Sequence, residues 1–201
     1  MPYFECDARA CEYLAGRDPL LGEAIARIGP LRRELRTDLF AALADSIVSQ
    51  QISGRAADAV LARLTAFLGA ITPEAVAAVP DEALRGCGLS LRKAGYLKGA
   101  AEAFRSGAVD PEALRRAGDR EVAEALTALR GVGAWTAEML LIFSLGRPDV
   151  LSFGDFGIRK GLSLLHGHER IDRPLFERYR ALYSPYGTAA SLYLWAVAGG
   201  A

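Results

Sequence analysis

The chain has 201 residues, of which 51% are hydrophobic and 24% charged. This composition is typical of a globular protein whose core is large enough to need neither disulfides nor a structural metal. Lys plus Arg and Asp plus Glu each number 24, so the formal net charge is zero. A globally basic surface for nucleic acid is therefore excluded, and any nucleic-acid contact must be local.

Cysteine usage and the N-terminal residues indicate the compartment. Cys6, Cys11 and Cys87 are odd in number and lack the spacing of a zinc site or a four-cysteine iron–sulfur cluster. The N-terminus lacks a leader pattern, and the longest apolar run, Met139 to Phe143, is far shorter than a membrane helix. We therefore expect a cytoplasmic protein without membrane contact.

Helical periodicity runs through the chain from residue 38 onward. Behind Asp38, a candidate cap, apolar residues such as Leu39 and Leu43 recur at three- and four-residue spacing. The pattern predicts helices at residues 38–51, 53–68, 72–79, 81–87, 90–106, 111–117, 120–129, 135–145, 156–166, 174–183 and 188–197. Alternating β-branched runs are missing, and the breaks are Gly, Pro, Asp or Ser at helix ends. We predict an all-α fold of about ten short helices without strands.

A turn between two of these helices, within LTALRGVGAWTAEML at residues 126–140, could bind an anion. Gly131 and Gly133 permit positive φ there and leave backbone N–H groups bare at the start of the second helix. Together with the helix dipole, these donors would cradle a phosphate without any net charge on the protein. A plain αα-hairpin is the alternative. The DNA-binding helix-hairpin-helix motif is favoured by the spacing of Leu126, Leu129, Val132 and Ala137.

Further segments support a family resemblance. These are SQQISGRAA at 49–57, LRKAGYLKGAAEAF at 91–104, GVGAWTAEM at the hairpin, FGDFGIRKG around Asp155, and SLYLW near the C-terminus. Together they resemble the helix-hairpin-helix (HhH-GPD) DNA glycosylases, with the greatest likeness to the 3-methyladenine DNA glycosylase II (AlkA) branch in a compact form without its N-terminal β domain. The resemblance implies a single two-lobed domain over residues 1–201 with the hairpin at the cleft. Lobe one would cover about 38–150 with hairpin 126–140, and lobe two about 1–37 plus 151–201.

Asp155 lies twenty positions after Trp135 and matches the catalytic aspartate of that family. A carboxylate beside C1′ would stabilise the oxocarbenium-like sugar that forms as the C1′–N bond breaks. One acid suffices for a purine methylated at N3 or N7, because such a base is already cationic. Asp155 also directly precedes a predicted helix, so an N-cap is the other interpretation, and the two roles are compatible.

The resemblance also implies a base pocket, formed by Trp135, Trp195, Phe156 and Met139. Electron-rich rings suit a flipped cationic base through stacking and cation–π attraction. Met139 replaces an aromatic residue of the family, which would make the pocket more open or more adaptable. Taken singly, such residues on apolar helix faces are more often core.

Contacts with the DNA backbone and with a monovalent cation follow from the same resemblance. The DNA-binding residues would be Gly131, Val132, Gly133, Thr136, Gln50 and Gln51. Gln51 matches the wedge that fills the gap left by the flipped nucleotide, and a solvated loop amide is the equally open alternative. The backbone carbonyls of Thr127, Leu129 and Val132 would hold Na⁺ or K⁺, and no other cofactor is required. His166 and His168 lack a nearby third ligand, so we interpret them as surface or helix-end residues.

We therefore predict a monofunctional DNA glycosylase of base excision repair. It would flip 3-methyladenine- or 7-methylguanine-type bases, and in some cases adenine or cytosine methylated at base-pairing positions, out of double-stranded DNA, as a monomer. The position of the Schiff-base lysine in bifunctional relatives is Trp135 here, and Lys160 should point away from Asp155. The alternatives are a non-enzymatic lesion-marking protein, which would have no use for Asp155, and a glycosylase for oxidised or mismatched bases.

Overall fold

The computed structural model describes residues 2–201. Its helices are α1 (Ala8–Arg17), α2 (Pro19–Ile28), α3 (Leu39–Ser49), α4 (Gly54–Leu68), α5 (Pro73–Ala78), α6 (Asp81–Gly86), α7 (Leu91–Arg105), α8 (Pro111–Arg116), α9 (Asp119–Thr127), α10 (Ala134–Phe143), α11 (Phe156–His166), α12 (Arg173–Tyr183) and α13 (Gly187–Ala198). Its strands are β1 (Tyr3–Glu5) and β2 (Arg32–Glu34). The predicted all-α class is confirmed apart from this short sheet.

Local capping explains why the predicted helices begin where they do. The side chains of Asp38, Ser53 and Ser90 each accept a hydrogen bond from the backbone N–H three residues on, at 2.9 to 3.3 Å. Each bond satisfies one of the N–H groups that a helix start leaves unpaired. Gly69, with a φ of 76°, ends α4 as predicted.

The prediction that strands are absent was wrong for a small antiparallel sheet. In it Tyr3 pairs with Glu34, Phe4 with Arg33, and Glu5 with Arg32. Each strand is only three residues long, and β2 is charged and exposed throughout, so it shows no apolar alternation. Pairing with a segment almost thirty positions away supplies the backbone partners that the sequence pattern could not reveal.

The chain divides into two compact units: a central unit, Arg36–Leu140, and a terminal unit made of residues up to Leu35 together with Leu141–Ala201. The sequence had placed the corresponding limits at about residues 37 and 150. In the central unit, α3 packs against α4 and α7, and α7 also packs against α5 and α6. Its core includes Leu43, Ile47 and Leu97, all fully buried.

Close packing of α11 on α13 organises the terminal unit. Gly161 lies on α11 where a Cβ would overlap the backbone carbonyl group of Leu194 on α13. The absence of a side chain at Gly161 therefore lets the two helices approach closely. Around them Ile158, Leu162 and Tyr193 are fully buried. This packing brings the start of α11, which Asp155 precedes, near the end of α13, which carries Trp195. Within residues 2–201, none of the helices has both the length and the apolar character that spanning a membrane requires.

Candidate functional site

Asp155 and Trp195 are brought together in the terminal unit. Asp155 caps α11, because its Oδ1 accepts a hydrogen bond from the Ile158 N–H at 2.9 Å. The indole N–H of Trp195 donates to the same oxygen at 2.8 Å. Asp155 as a whole is only 8% exposed, and burial strengthens the interaction of its carboxylate with any charge placed beside it. The cap that sequence suggested is therefore present, and a fixed, little-solvated carboxylate accompanies it.

The two aromatic residues predicted next to Asp155 differ in their surroundings. Trp195 is half-buried, and its ring stacks on Phe143 with centroids 5.5 Å apart and planes 25° apart. Phe156 is 73% exposed at the first position of α11. Trp195 thus has a fixed orientation, whereas Phe156 presents a largely solvent-facing ring.

A hydrogen-bond network fixes the loop that leads to Asp155. The Asp149 side chain accepts bonds from the Arg180 guanidinium at 2.9 and 3.1 Å, from the Ser184 hydroxyl at 2.7 Å and from the Gly187 N–H at 3.1 Å. Burial raises the pKa of Asp149, but these bonds and the Arg180 charge together hold it below its ordinary value. Sequence reasoning missed Asp149, although it lies in the same Gly/Pro segment as Asp155.

The two hairpin glycines in the central unit differ. Gly131 has a φ of 87°, and a Cβ there would overlap the Tyr96 ring, so the turn itself requires glycine. Gly133 does not adopt the positive φ that glycine permits, and an added Cβ would meet nothing within 4 Å. Gly133 is exposed, whereas Val132 and Thr136 are buried. The side chains of Val132 and Thr136 are therefore withdrawn from solvent.

Trp135 and Met139 lie one turn apart on α10 in the central unit. Trp135 is 46% exposed, and Met139 is 8% exposed. The tryptophan therefore offers an accessible ring, while the methionine belongs to the packed interior.

The predicted DNA-binding loop at Gln50 and Gln51 contacts the hairpin. The Gln50 side-chain N–H donates to the Gly131 carbonyl at 2.8 Å. Gln51 is exposed and has a φ of 57°, in the left-handed region. The loop joining α3 to α4 is thus tied to the turn joining α9 to α10.

The carbonyls that the family likeness assigns to a monovalent cation lie in the hairpin turn. Thr127 is the last residue of α9, where helix carbonyls point past the helix end and the dipole is negative. The Leu129 carbonyl accepts the Val132 N–H at 3.1 Å and keeps a second lone pair. Neutral carbonyl oxygens at a negative dipole end are suitable ligands for Na⁺ or K⁺.

Each lysine ammonium group donates to a backbone carbonyl near a helix C-terminus. Lys160 donates to Ala198 at 2.8 Å, Lys98 to Ala77 at 3.0 Å, and Lys93 to Val48 and Gln50 at 2.6 and 2.7 Å. These positions are where a cation complements the helix dipole.

The two histidines form a largely buried network, in which His166 ends α11, as the helix-end interpretation expected. Its Nε2 lies 3.1 Å from the Asp18 carboxylate, and its side chain is 12% exposed. Tyr183 donates to the same carboxylate at 2.6 Å, and His168 contacts the Tyr179 hydroxyl at 2.7 Å. Burial lowers the pKa of His166 despite the attraction of Asp18.

The helical fold with its glycine hairpin is that of a DNA glycosylase. The chain belongs to the HhH-GPD superfamily of base excision DNA repair proteins, whose family model matches residues 44–183. The family, the compact helical form and the enzyme class predicted from the sequence are confirmed.

Three relatives illustrate the likeness. DNA-3-methyladenine glycosylase 1 of Schizosaccharomyces pombe is 35% identical over 191 residues, which is 91% of this chain and 84% of that protein. The crystal structure of a Bacillus halodurans DNA-3-methyladenine glycosidase superposes with a TM-score of 0.91 at 39% identity, covering 100% of this chain and 94% of that one. The S. pombe 3-methyladenine DNA glycosylase Mag1, in complex with abasic DNA, gives a TM-score of 0.82 at 34% identity, covering 94% and 95%.

Proposed function

We propose that this protein releases N-alkylated bases, of the 3-methyladenine and 7-methylguanine type, from double-stranded DNA by hydrolysis. The observation that carries the proposal is the Asp155 carboxylate, which is nearly buried and held at one oxygen by the Ile158 N–H and the Trp195 indole. The relatives named for 3-methyladenine support the same class of substrate.

The chemistry follows from the charge of the leaving group. A purine methylated at N3 or N7 carries a positive charge, and it takes the electron pair of the C1′–N bond as it leaves. The sugar then gains positive charge at C1′, which a fixed carboxylate at Asp155 stabilises in a site that admits little water. Water adds to C1′ and gives up a proton to solvent, which leaves an abasic site. No second acid is needed, because the cationic base leaves as a neutral molecule.

Recognition of the base would use aromatic rings. Trp135, Trp195 and Phe156 offer ring faces that attract a cationic base more strongly than a neutral one. Trp195 has a further use, because its orientation is set by its bond to Asp155 and by the ring of Phe143.

Recognition of the duplex would use backbone groups of the hairpin. Gly133 has no conformational or packing need for glycine. Its openness therefore suits close approach of a phosphate to the N–H groups at the start of α10. Gln51, at the tip of the neighbouring loop, would fill the space left by the flipped nucleotide, and the turn carbonyls of Thr127, Leu129 and Val132 would hold Na⁺ or K⁺, which adds positive charge near that phosphate.

The product would be an intact abasic strand, because a lyase needs an amine that can reach C1′. Lys160 is five residues from Asp155 in sequence, but its ammonium group donates to the Ala198 carbonyl at the end of α13.

We also propose that a single chain acts alone, since the carboxylate, the hairpin and the aromatic residues all belong to one chain. Sedimentation of the free protein and of its DNA complex would measure the number of chains in each.

A panel of duplexes that each carry one defined lesion tests the proposal. The set contains 7-methylguanine, 3-methyladenine, 1-methyladenine, 3-methylcytosine, 8-oxoguanine and an undamaged control, and released base is measured by chromatography. We expect release of the cationic purines, with strand breaks only after alkali. Release of 8-oxoguanine alone would favour the oxidised-base alternative, and binding without release from any duplex would favour a lesion-marking protein. Borohydride trapping of a protein–DNA adduct would contradict the hydrolytic mechanism.

A further inference from the structure

The loop that carries Gln51 has an unusual backbone for its sequence. The Ile52 N–H donates to the Ser49 carbonyl at 3.4 Å, and Gln50 has φ −54° and ψ 126°. With the φ of 57° at Gln51, these values describe a type II β-turn, in which the third residue is normally glycine. Among residues 2–201, Gln51 is the one non-glycine residue with positive φ.

The contact that selects this turn comes from Lys93 on α7. Type I and type II turns differ in the orientation of their central peptide, here the one between Gln50 and Gln51. The carbonyl of that peptide, on Gln50, accepts a hydrogen bond from the Lys93 ammonium group at 2.7 Å. A type I turn would rotate this carbonyl away from the ammonium group. Lys93 therefore stabilises the orientation of the Gln50–Gln51 peptide that places Gln51 in the left-handed region.

The ammonium group is itself fixed in place. It donates a second bond, at 2.6 Å, to the Val48 carbonyl in the last turn of α3, where the helix dipole attracts a cation. Burial, with the charge of neighbouring Arg92, lowers the pKa of Lys93, as expected for an amine withdrawn from water.

The same face of α7 also supports the hairpin. Tyr96, three residues after Lys93, packs its ring against Gly131, and residues three apart share a helix face. The Gln50 side chain completes the connection with its bond to the Gly131 carbonyl. One helix face thus holds both segments that the proposed function assigns to the duplex.

We propose that Lys93 is a positioning residue that holds Gln51 in its left-handed conformation, so that the wedge side chain is oriented before DNA binds. This inference rests on the proposed function for its consequence in repair. Lys93 would speed extrusion of a base from an intact stack, which requires a rigid wedge. It would contribute little to excision of a base that is already unpaired.

Lys93→Met tests this, because methionine keeps most of the apolar stem and removes the three donors. The matched control is Lys98→Met, on the same helix, where the lost bond is to the Ala77 carbonyl at the end of α5. Single-turnover release of 7-methylguanine is measured from a fully paired duplex and from a duplex in which the lesion lies in a bulge. Fluorescence of 2-aminopurine beside the lesion reports extrusion.

We expect Lys93→Met to slow release from the paired duplex by about tenfold, to lower the 2-aminopurine signal in parallel, and to leave the bulged substrate within about twofold of wild type. Lys98→Met should leave both rates unchanged, and Lys93→Arg should restore most of the loss. Equal slowing on both substrates, or unchanged release from the paired duplex, would overturn the positioning role.

A second measurement needs no activity. Gln51→Gly relieves backbone strain only if the residue is held at positive φ. We expect Gln51→Gly to raise the folding equilibrium constant, measured by urea unfolding, in both backgrounds. The factor of increase should be at least three times larger in wild type than in Lys93→Met. Equal effects in the two backgrounds would refute the hold on the turn. If wild-type protein releases no base from any lesion, the proposed function fails while this comparison still decides the proposal.

Discussion

Replacing Asp155 by Asn separates the two roles of this residue, because it preserves shape and removes charge. Both the Ile158 N–H and the Trp195 indole donate to Oδ1, at 2.9 and 2.8 Å. An asparagine oxygen at the same position accepts both bonds. The substitution removes the negative charge and replaces the second oxygen by an amide nitrogen.

The expected loss of free energy is several times larger for the chemical step than for unfolding. Asn and Asp are about equal as N-caps, so the stability loss reduces to the interaction of the charge with the α11 dipole and with its donors, about 0.5–1 kcal/mol. Removing a preorganised group that stabilises charge in the transition state typically slows a reaction by about 10²–10³, or about 2.7–4 kcal/mol. We therefore expect Asp155→Asn to fold and to bind lesion DNA while losing most of its rate.

The assay is single-turnover release of 7-methylguanine at saturating enzyme, together with urea unfolding and duplex binding. Asp172→Asn is the control, because Asp172 caps α12 by accepting the Leu175 N–H at 2.9 Å in the same unit. Asp172→Asn should lose a similarly small amount of stability and should release base at the wild-type rate. If Asp155→Asn releases 7-methylguanine or 3-methyladenine as fast as wild type, the assignment of the active site fails, and a non-enzymatic lesion-binding protein becomes the better interpretation.

Three further predictions concern the hairpin, the indole and the buried histidine. Gly131→Ala should destabilise the fold by about 1–3 kcal/mol in urea unfolding, because a side chain there meets both the positive φ and the Tyr96 ring. Gly133→Ala should change stability by less than about 0.5 kcal/mol and should weaken duplex binding on every sequence. Equal stability losses in the two variants would contradict this prediction. Trp195→Phe keeps a ring against Phe143 but deletes the donor to Asp155, so base release should slow about tenfold, and an unchanged rate would show that the bond does not matter for chemistry. Because the pKa of His166 is lowered by burial, the folded state favours the neutral imidazole, so stability is full above the ordinary pKa of about 6.5 and declines as pH falls through the folded-state pKa. Urea unfolding between pH 8 and 5 should show this decline flattened in His166→Gln, and stability that rises on acidification would mean that attraction to Asp18 outweighs burial.

Most helices could be predicted because their signals are local. Apolar spacing and a capping residue act within one or two turns, so α3, α4 and α7 begin at the caps that the sequence indicated. The sheet of β1 and β2 could not, since each strand is short and stabilised by a partner from elsewhere in the chain.

The candidate site divides in the same way. Sequence pattern identified Asp155 and Trp195, but their bond joins positions 40 apart and depends on the packing of α11 against α13. Asp149 was missed, because an aspartate in a loop shows its role only when Arg180 and Ser184 are seen around it. His166 ends α11 as expected, but its contacts with Asp18 and Tyr183 show only in the folded chain.

The sequence by itself determined the helices from α3 onward, the hairpin between α9 and α10, the family, and the residue types available for chemistry. These follow from contacts between neighbours along the chain and from the spacing of apolar, glycine and charged residues. Tertiary structure alone decided the left-handed turn at Gln51 and its tie to Lys93, a contact between residues 43 apart. Local propensity favours glycine at that turn position. Gln51 adopts the left-handed conformation there because the distant Lys93 ammonium group fixes the peptide before it.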